Sequence, residues 1–194
     1  MAKLPLRFRK ADMGTVELAP VLTYHRRLHY NVRRGRGLLL SGPNGVGKTW
    51  ALAALTKAAI NFYADKGRLF DAEFISAASM FDKIAVINDY KEPFDERRQR
   101  SWLITLINVN WLVINDLGKE YRGGQLHDQV VYKLGLVLRE RSERMLTTHI
   151  TTNLALSGDS SIGQIYGESI FSLLGEMVRP YVVNGVDRRR KKKK

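Results

Sequence analysis

The sequence predicts an α/β fold in which a parallel, five-stranded sheet is flanked by helices. Short apolar runs alternate with longer amphipathic stretches along most of the 194 residues. A glycine-rich segment joins the first apolar run directly to a stretch of helix-forming residues, and later apolar runs end in polar residues. Alternating strands and helices with short connections are typical of a parallel sheet covered on both faces.

The glycine-rich segment fits the pattern G-x-x-x-x-G-K-[ST], the phosphate-binding loop. It consists of Gly42, Pro43, Asn44, Gly45, Val46, Gly47, Lys48 and Thr49. An apolar run precedes it and helix formers follow it, which is the setting that the motif requires. In that setting backbone N–H groups point at the α- and β-phosphates, the lysine reaches the β- and γ-phosphates, and the threonine hydroxyl binds Mg²⁺. The alternative is a glycine-rich turn that carries a lysine by chance.

The composition is that of a soluble globular domain, with 44% hydrophobic and 26% charged residues. We expect no membrane span, because no apolar run approaches about 18 residues, and we expect no signal peptide. The absence of cysteine excludes disulfides and thiolate metal sites, and it fits a reducing compartment such as the cytoplasm. The four histidines lack a metal-ligand spacing, and His149 is predicted to be a hydrogen-bonded core residue.

The chain is strongly basic, with a formal net charge of +13. Seven of these charges lie in residues 188–194, and the remainder of the chain still carries +6. A basic surface usually has a polyanion partner, most often nucleic acid. The alternative for the tail is a solvated charge run that binds nothing.

Residues 1–34 are predicted to be a short basic N-terminal extension that ends in a lead-in helix over residues 21–34. The apolar face of that helix is predicted to carry Leu22, His25, Leu28 and Val32. Its polar face is predicted to carry Arg26, Arg27, Arg33 and Arg34. Residues 35–187 then form the core domain, and residues 188–194 form a basic tail.

The first half of the core domain continues from the phosphate loop with a helix to about Asp65. A strand follows over residues 69–75, and Ser76 caps the next helix. Residues 88–99 read as a polar surface loop that runs into a helix with its apolar positions at 102–107.

The second half begins with a strand over residues 111–118, followed by a helix over 125–143 and a strand over 146–153. A last helix over 167–177 and a short strand over 181–183 complete the pattern. Ligands of open α/β sheets bind at the carboxyl ends of the strands, which places Asp116 and Asn153 at the site and lets Asn153 face the γ-phosphate.

Taken together, these pieces resemble the AAA+ ATPases, a class of P-loop NTPases, and most closely their bacterial helicase-loader and transposition-helper group (DnaC-like and IstB-like proteins). The resemblance covers about residues 7–190. Besides the phosphate loop, it rests on residues 112–120, residues 150–154 and the Gly167-Glu168 pair. It implies an AAA+ fold with little or no C-terminal helical lid, since barely a dozen residues follow Tyr181.

The resemblance also assigns roles to the polar strand ends. Asn115 and Asp116 match the Walker B pair, and the family has an aspartate that holds Mg²⁺ through water where this chain has Asn115. An amide keeps one oxygen acceptor but loses the charge, so we expect weaker Mg²⁺ binding. Asp116 matches the residue that polarises the attacking water, and Asn153 matches the sensor I residue that orients it. The alternative for Asp116 is a strand-end cap or turn residue.

The family's arginine residues are matched less well. Leu173 occupies the position of the arginine that completes the site of a neighbouring subunit, and leucine cannot do that chemistry. Arg179 is either a shifted substitute or a plain surface residue. Arg188 or Arg189 matches the sensor II arginine that contacts the γ-phosphate, and the alternative assigns both to the polyanion-binding tail.

The resemblance implies ATP or ADP and Mg²⁺ as ligands, and single-stranded DNA, a replicative helicase and further copies of the chain in its ATP state as partners. It implies a cytoplasmic helicase-loader-like protein of a bacterium or a phage-infected cell. The departures predict an ATP-controlled switch with slow or partner-stimulated hydrolysis. The alternatives are a transposition helper and a non-hydrolysing, nucleotide-gated DNA-binding scaffold. Inserted helices in related proteins track DNA, and cations at the matching positions here are Lys83, Lys91, Arg97, Arg98 and Arg100.

Overall fold

Five parallel strands form one sheet in the computed structural model of this chain. The model describes residues 4–86, 102–118, 125–159 and 161–188, with the side chains of all but 83–86, 125–127 and 129–130. The strands are β1 Gly37–Ser41, β2 Ala72–Ser76, β3 Trp111–Leu117, β4 Thr147–Thr152 and β5 Val178–Val182. Their order is β2-β3-β4-β1-β5, so β1 and β4 lie at or next to the centre. The predicted α/β fold with a five-stranded parallel sheet is confirmed.

Eight helices accompany these strands in the described part of the chain. They are α1 Ala19–Arg26, α2 Leu28–Arg33, α3 Lys48–Ala64, α4 Ala77–Val86, α5 (which includes residues 102–108), α6 Gln125–Glu143, α7 Ile162–Tyr166 and α8 Glu168–Met177. Two short 3-10 turns, Leu6–Phe8 and Met13–Thr15, precede them. None of the described helices is long and apolar enough to cross a bilayer.

The sheet is covered on both faces, and its central strands are buried on both sides. Every residue of β1 is buried, and so is every residue of β4. One core cluster joins the sheet to α4, α6, α7 and α8, and a second joins it to α1, α2, α3 and the N-terminal turns. Residues 4–34 therefore pack on the sheet as part of a shared core.

The predicted single helix over residues 21–34 is wrong, because α1 and α2 are separated by a break at Arg27, whose φ of −115° and ψ of 26° leave the helical region. The break also changes the buried face. Val21, Tyr24, Leu28 and Asn31 are buried, whereas His25, predicted on the apolar face, is exposed. Tyr24 lies on the buried face, and its hydroxyl donates to the Arg36 carbonyl at 2.6 Å.

Two strand boundaries also differ from those predicted. The second strand begins at Ala72 rather than at residue 69, and Leu69 is fully exposed. The last strand is Val178–Val182 rather than residues 181–183, because all five of its residues pair with β1. Helix α7 lies outside the predicted elements and begins at Ser161, whose hydroxyl accepts from Gln164 N. Between β5 and residue 188 the described chain forms no helix.

Two basic residues are buried in the core and hydrogen-bonded there. Arg141 is fully buried and donates to the carbonyls of Leu106, Val109 and Thr147. Burial lowers its pKa to about 9. His149 is also fully buried, and its Nδ1 accepts from Leu38 N at 3.1 Å, as the sequence predicts.

Several predicted features lie outside the described residues. These are the polar loop over 88–99 and the cations Lys91, Arg97, Arg98, Arg100 and Arg189. For Lys83 the model describes the backbone, which lies in α4.

Candidate nucleotide-binding site

The glycine-rich loop joins the carboxyl end of β1 to the first turn of α3, as its sequence requires. Gly45 has a φ of 79° and Gly47 a φ of 100°, conformations that side chains with a Cβ rarely adopt. A Cβ on Gly45 would also collide with the carboxylate of Asp187. The loop therefore holds its backbone in a curl that residues other than glycine would disturb at these two positions.

Lys48 begins α3 and is only 5% exposed. Its ammonium donates to the carbonyls of Gly42 and Pro43, both at 2.7 Å, and to Asn153 Oδ1 at 3.0 Å. Asn153 follows β4, and its Nδ2 in turn donates to Asn44 Oδ1 at 3.0 Å. These three oxygens are neutral, and an anionic oxygen that replaces one of them gains a stronger, charge-assisted bond.

The end of β3 is irregular where Asn115 and Asp116 lie. Asp116 has a φ of 61°, and the pairing of β3 with β4 shifts register between Ile114 and Leu117. A non-glycine residue in this conformation costs about 1–3 kcal/mol and is often found at functional sites. The irregularity turns the Asp116 side chain into the cleft that it lines, whereas Asn115 stays behind it at 3% exposure.

One hydroxyl, that of Thr151 on β4, organises both members of the pair. Thr151 Oγ1 accepts from Asp116 N at 2.8 Å and donates to Asn115 Oδ1 at 2.9 Å. No sequence motif indicates this positioning residue. The pairing of β3 with β4 brings the three residues together, and no local pattern signals that pairing.

A cleft of about 590 Å³ opens above the loop. Its lining residues come from the loop and the start of α3, from Asp116, from the chain after β5 and from the N-terminal segment. They are Arg7, Phe8, Thr15, Asn44, Gly45, Gly47, Lys48, Thr49, Trp50, Asp116 and Arg188. The cleft therefore combines a backbone cradle with cations, and the side chains around Phe8 and Trp50 form its aromatic end.

The aromatic end is built by residues that the sequence analysis did not assign to the site. Trp50 Nε1 donates to Thr15 Oγ1 at 2.9 Å, which ties the first turn of α3 to the N-terminal segment. The guanidinium carbon of Arg7 lies 4.6 Å from the centre of the Phe8 ring. Only the position of Trp50 next to Thr49 could have suggested this wall, because the other residues are more than thirty positions away in the sequence.

The chain after β5 crosses the loop on the open side of the cleft. Val183 N donates to the Ser41 carbonyl at 2.7 Å, and Arg188 N donates to the Gly45 carbonyl at 3.0 Å. The Arg188 guanidinium forms a salt bridge of 2.9 Å with Glu17, and both side chains are partly exposed. Arg188 therefore links the C-terminal and N-terminal segments across the cleft.

No protein-family model matches the sequence, and no curated protein sequence matches it. Solved structures do match. The DnaC helicase loader is 24% identical with a TM-score of 0.72, over 93% of this chain and 100% of that chain. DnaI is 20% identical with a TM-score of 0.69, over 97% of this chain and 95% of that chain. The replication initiator DnaA bound to AMPPCP and single-stranded DNA is 13% identical with a TM-score of 0.60, over 91% of this chain and 51% of that chain.

The chain has an AAA+ ATPase fold. The resemblance inferred from its motifs is thus confirmed at the level of the fold.

Within this AAA+ fold the predicted site residues separate into three groups. Lys48, Thr49, Asp116 and Arg188 line one cleft with the loop. Asn153 contacts Lys48 at its edge, and Asn115 lies buried behind Asp116. Pro43 contributes its carbonyl to the lysine.

The two side chains that the sequence analysis weighed as arginine-finger positions lie away from this cleft. Leu173, on α8, packs against the core cluster beneath that helix. Arg179, on β5, is exposed and pairs with Leu38, at the end of β1 opposite the loop. In the described part of the AAA+ fold, neither side chain reaches the nucleotide cleft of its own chain.

The donor set fits a metal ion that arrives with a nucleotide. Among the described residues no three His, Cys, Asp or Glu side chains cluster to hold a metal. The cleft offers the Thr49 hydroxyl and the Asp116 carboxylate, both of them oxygen ligands of the kind that Mg²⁺ prefers. Mg²⁺ is commonly held by two protein ligands, and phosphate oxygens and water fill its remaining positions.

Proposed function

We propose that this chain is an ATP-binding, helicase-loader-like AAA+ protein of DNA replication. It acts as an ATP-controlled switch on single-stranded DNA, with residues 35–187 as its ATPase core. The observation that carries the proposal is the buried Lys48 ammonium beneath a glycine loop, in a cleft that also contains Thr49, Asp116 and Arg188. The likeness to the DnaC helicase loader over 93% of the chain supports the choice of process.

The loop and Lys48 bind the triphosphate. Loop N–H groups and the N-terminus of α3 attract the α- and β-phosphates, because the helix dipole favours negative charge there. Lys48 exchanges its carbonyl partners at Gly42 and Pro43 for phosphate oxygens. Thr49 and Asp116 hold Mg²⁺, which neutralises charge on the phosphates when bound.

Hydrolysis is slow in the isolated chain. Asp116 polarises the attacking water and Asn153, fixed between Lys48 and Asn44, orients it. The neutral Asn115 leaves one negative charge where a Walker B pair has two, and so Mg²⁺ is held less firmly. Leu173 supplies no arginine to a neighbouring subunit, so a partner must complete the site for fast turnover.

The nucleotide controls the segments that border the cleft. A phosphate in the loop competes with Asp187 near Gly45 and draws Arg188 away from Glu17. The N-terminal and C-terminal segments then change position together, since Arg188 connects them. We propose that this change promotes self-association of the chain on single-stranded DNA and its contact with a replicative helicase.

Nucleotide binding is tested by titrating a fluorescent ATP analogue into wild-type protein, Lys48→Ala and a control, Lys66→Ala. The control removes an exposed lysine at the other end of α3. Loss of a charge-assisted contact predicts at least a tenfold weaker affinity for Lys48→Ala. Lys66→Ala binds as wild type does. Equal affinity of all three proteins refutes the assignment of the cleft.

The switch is tested by mass photometry with ATP, ADP or no nucleotide, each with and without a single-stranded oligonucleotide. The proposal predicts larger assemblies only with ATP and the oligonucleotide together, and none with Lys48→Ala. A pull-down with a replicative helicase then tests the partner. An unchanging monomer under all six conditions contradicts the switch.

Asn115 favours one second candidate, a nucleotide-gated scaffold that binds DNA and does not hydrolyse ATP. Single-turnover hydrolysis, measured with and without single-stranded DNA, distinguishes the two. Release of phosphate in the presence of DNA supports the switch with hydrolysis. Stable bound ATP under both conditions supports the scaffold.

A further inference from the structure

Seven arginines lie together at the end of the sheet opposite the nucleotide cleft, and we call this surface the basic face. They are Arg26, Arg27, Arg33, Arg34, Arg36, Arg68 and Arg179. All are at least partly exposed. Five of them lie within residues 26–36, and the connection before β2 and strand β5 contribute Arg68 and Arg179.

Two neighbouring cavities establish that these residues form one continuous surface. The first, of about 630 Å³, is lined by residues 25–30 and Phe62. The second, smaller cavity is lined by Arg36 and Arg179 among others. Arg27 and Tyr30 line both, and they join the two halves.

The other arginines extend this surface at its edges. The guanidinium carbon of Arg34 lies 4.4 Å from the centre of the Tyr30 ring. His29 Nδ1 lies 3.1 Å from the Tyr63 hydroxyl. Arg68 N donates to the Tyr63 carbonyl at 3.0 Å, and Arg33 lies one helical turn after His29 in α2. Both cations therefore lie close to the first cavity.

The positive charge of the basic face is not neutralised by the described residues around it. No carboxylate lines either cavity, and within the described ranges none of the seven arginines forms a salt bridge. Asp65, at the end of α3, is exposed and pairs with none of them. The seven arginines contribute seven positive charges, and the chain outside residues 188–194 has a net charge of +6.

Aromatic rings lie among these cations. Tyr30 is 47% exposed between the two cavities, and Phe62 lines the first with Lys66 Nζ 4.8 Å from the centre of its ring. Unpaired bases stack on aromatic rings and guanidinium planes, whereas the bases of a duplex are already stacked on each other. Rings between cations thus fit a single strand better than a duplex.

We propose that the basic face binds the backbone of single-stranded nucleic acid, with Tyr30 and Phe62 as stacking positions, in either nucleotide state of the chain. This surface goes beyond the proposed function, which assigns no described residue to DNA. The basic face lies at the start of β1, and the phosphate-binding loop follows Ser41 at the end of that strand. The length of β1 therefore separates the two sites.

The proposal is tested by fluorescence anisotropy with a labelled 20-nucleotide oligo-dT and the full chain, without nucleotide. The variant Arg27→Gln/Arg36→Gln/Arg179→Gln removes three cations of the basic face. The matched control, Arg9→Gln/Lys10→Gln/Arg139→Gln, removes three exposed cations elsewhere. Circular dichroism and thermal melting establish that both variants fold as wild type does.

We expect the basic-face variant to bind at least tenfold more weakly, and the control variant to stay within about twofold of wild type. Each lost phosphate contact lowers the slope of log K against log salt by about 0.7 for a single strand, so the slope falls by about 2. Tyr30→Ser weakens binding and leaves the salt slope unchanged, because stacking releases no counterions. Equal losses in both triple variants would overturn the proposal, since any cations would then suffice.

A second measurement does not depend on variants. Ultraviolet crosslinking of an oligonucleotide that carries 5-iodouracil, followed by peptide mapping, is expected to modify residues within 26–36. Crosslinks confined to other segments contradict the proposal.

Lipid vesicles with about 30% phosphatidylserine test the other polyanion class, and preferential loss of vesicle binding in the basic-face variant assigns the face to membranes instead. Lys48→Ala is measured both in the ATP titration and in the oligonucleotide assay. It is expected to lose ATP binding and to keep oligonucleotide binding, so the proposed function and the basic face can fail independently of each other.

Discussion

Lowering the pH is expected to destabilise the fold through a single buried group, His149 on β4. Its side chain is fully buried, with ring centres 4.1 Å from Trp111 and 5.1 Å from Tyr24. Nδ1 accepts from Leu38 N, and Nε2 has no hydrogen-bond partner among the residues that the structure describes. Burial, together with the positive charge of Arg141, lowers the pKa of His149 to about 3.

The size of the effect follows from the difference between folded and unfolded pKa values. In the unfolded chain the histidine has a pKa of about 6.5. Between that value and about 3 the unfolded state binds a proton that the folded state does not, so stability is complete above pH 6.5 and falls as the pH falls. Between pH 7.5 and pH 5.0 the loss from this one group is about 2 kcal/mol.

Urea unfolding at the two pH values measures this loss in wild type, His149→Gln and His25→Gln. The glutamine at 149 keeps an acceptor for Leu38 N but cannot titrate, and His25 is an exposed control. We expect His149→Gln to lose about 2 kcal/mol less than wild type, or roughly 1 M in the urea midpoint. His25→Gln should behave as wild type does. If His149→Gln loses as much stability as wild type between the two pH values, the assignment of a neutral, buried imidazole is wrong.

Three further variants test other parts of the structure. Arg141→Met should lower the free energy of unfolding by about 3–5 kcal/mol in urea titrations, because it leaves the carbonyls of Leu106, Val109 and Thr147 unsatisfied; Arg139→Met, an exposed change on the same helix, should change it by less than about 1 kcal/mol. Asn115→Asp should lower the Mg²⁺ concentration needed for half-maximal ATP binding about tenfold, since it restores one charge near the metal; an unchanged Mg²⁺ requirement contradicts the proposed metal site. Gly45→Ala should weaken ATP binding at least tenfold through backbone strain and the collision with Asp187, whereas Gly175→Ala, in open space on α8, should not change it.

The parts of the fold that the sequence predicts are those governed by local pattern. Strands β1, β3 and β4 are continuous apolar or β-branched runs, because a central parallel strand is buried on both faces and cannot alternate. The phosphate loop is equally local, since its curl depends on glycines at fixed spacing. Helix α6 is found over the residues predicted for it.

The parts that the sequence does not predict depend on contacts between distant segments. No helical periodicity reveals the break at Arg27 or the hydrogen bond from the Tyr24 hydroxyl to the Arg36 carbonyl. Strand β5 begins three residues earlier than predicted because pairing with β1, rather than apolar character, holds the exposed Arg179 and Pro180. The aromatic end of the cleft also depends on contacts between distant segments, since Trp50 is hydrogen-bonded to Thr15.

Strand β4 explains how one sheet can connect the buried core to the chemistry at its end. Thr148 Oγ1 accepts a hydrogen bond from Arg141, and His149 Nδ1 accepts one from Leu38 N. Thr151 Oγ1 is hydrogen-bonded to both Asn115 and Asp116. Thr152 Oγ1 donates to the Leu117 carbonyl at 2.7 Å, and Asn153 contacts Lys48 just beyond the strand. A hydrophobic strand would keep the backbone pairing with β1 and β3, but it would lack the side-chain hydrogen bonds that position Asp116 and the Leu117 carbonyl. Thr151 and Thr152 provide these bonds, because each hydroxyl adds a directional hydrogen bond at the end of β3.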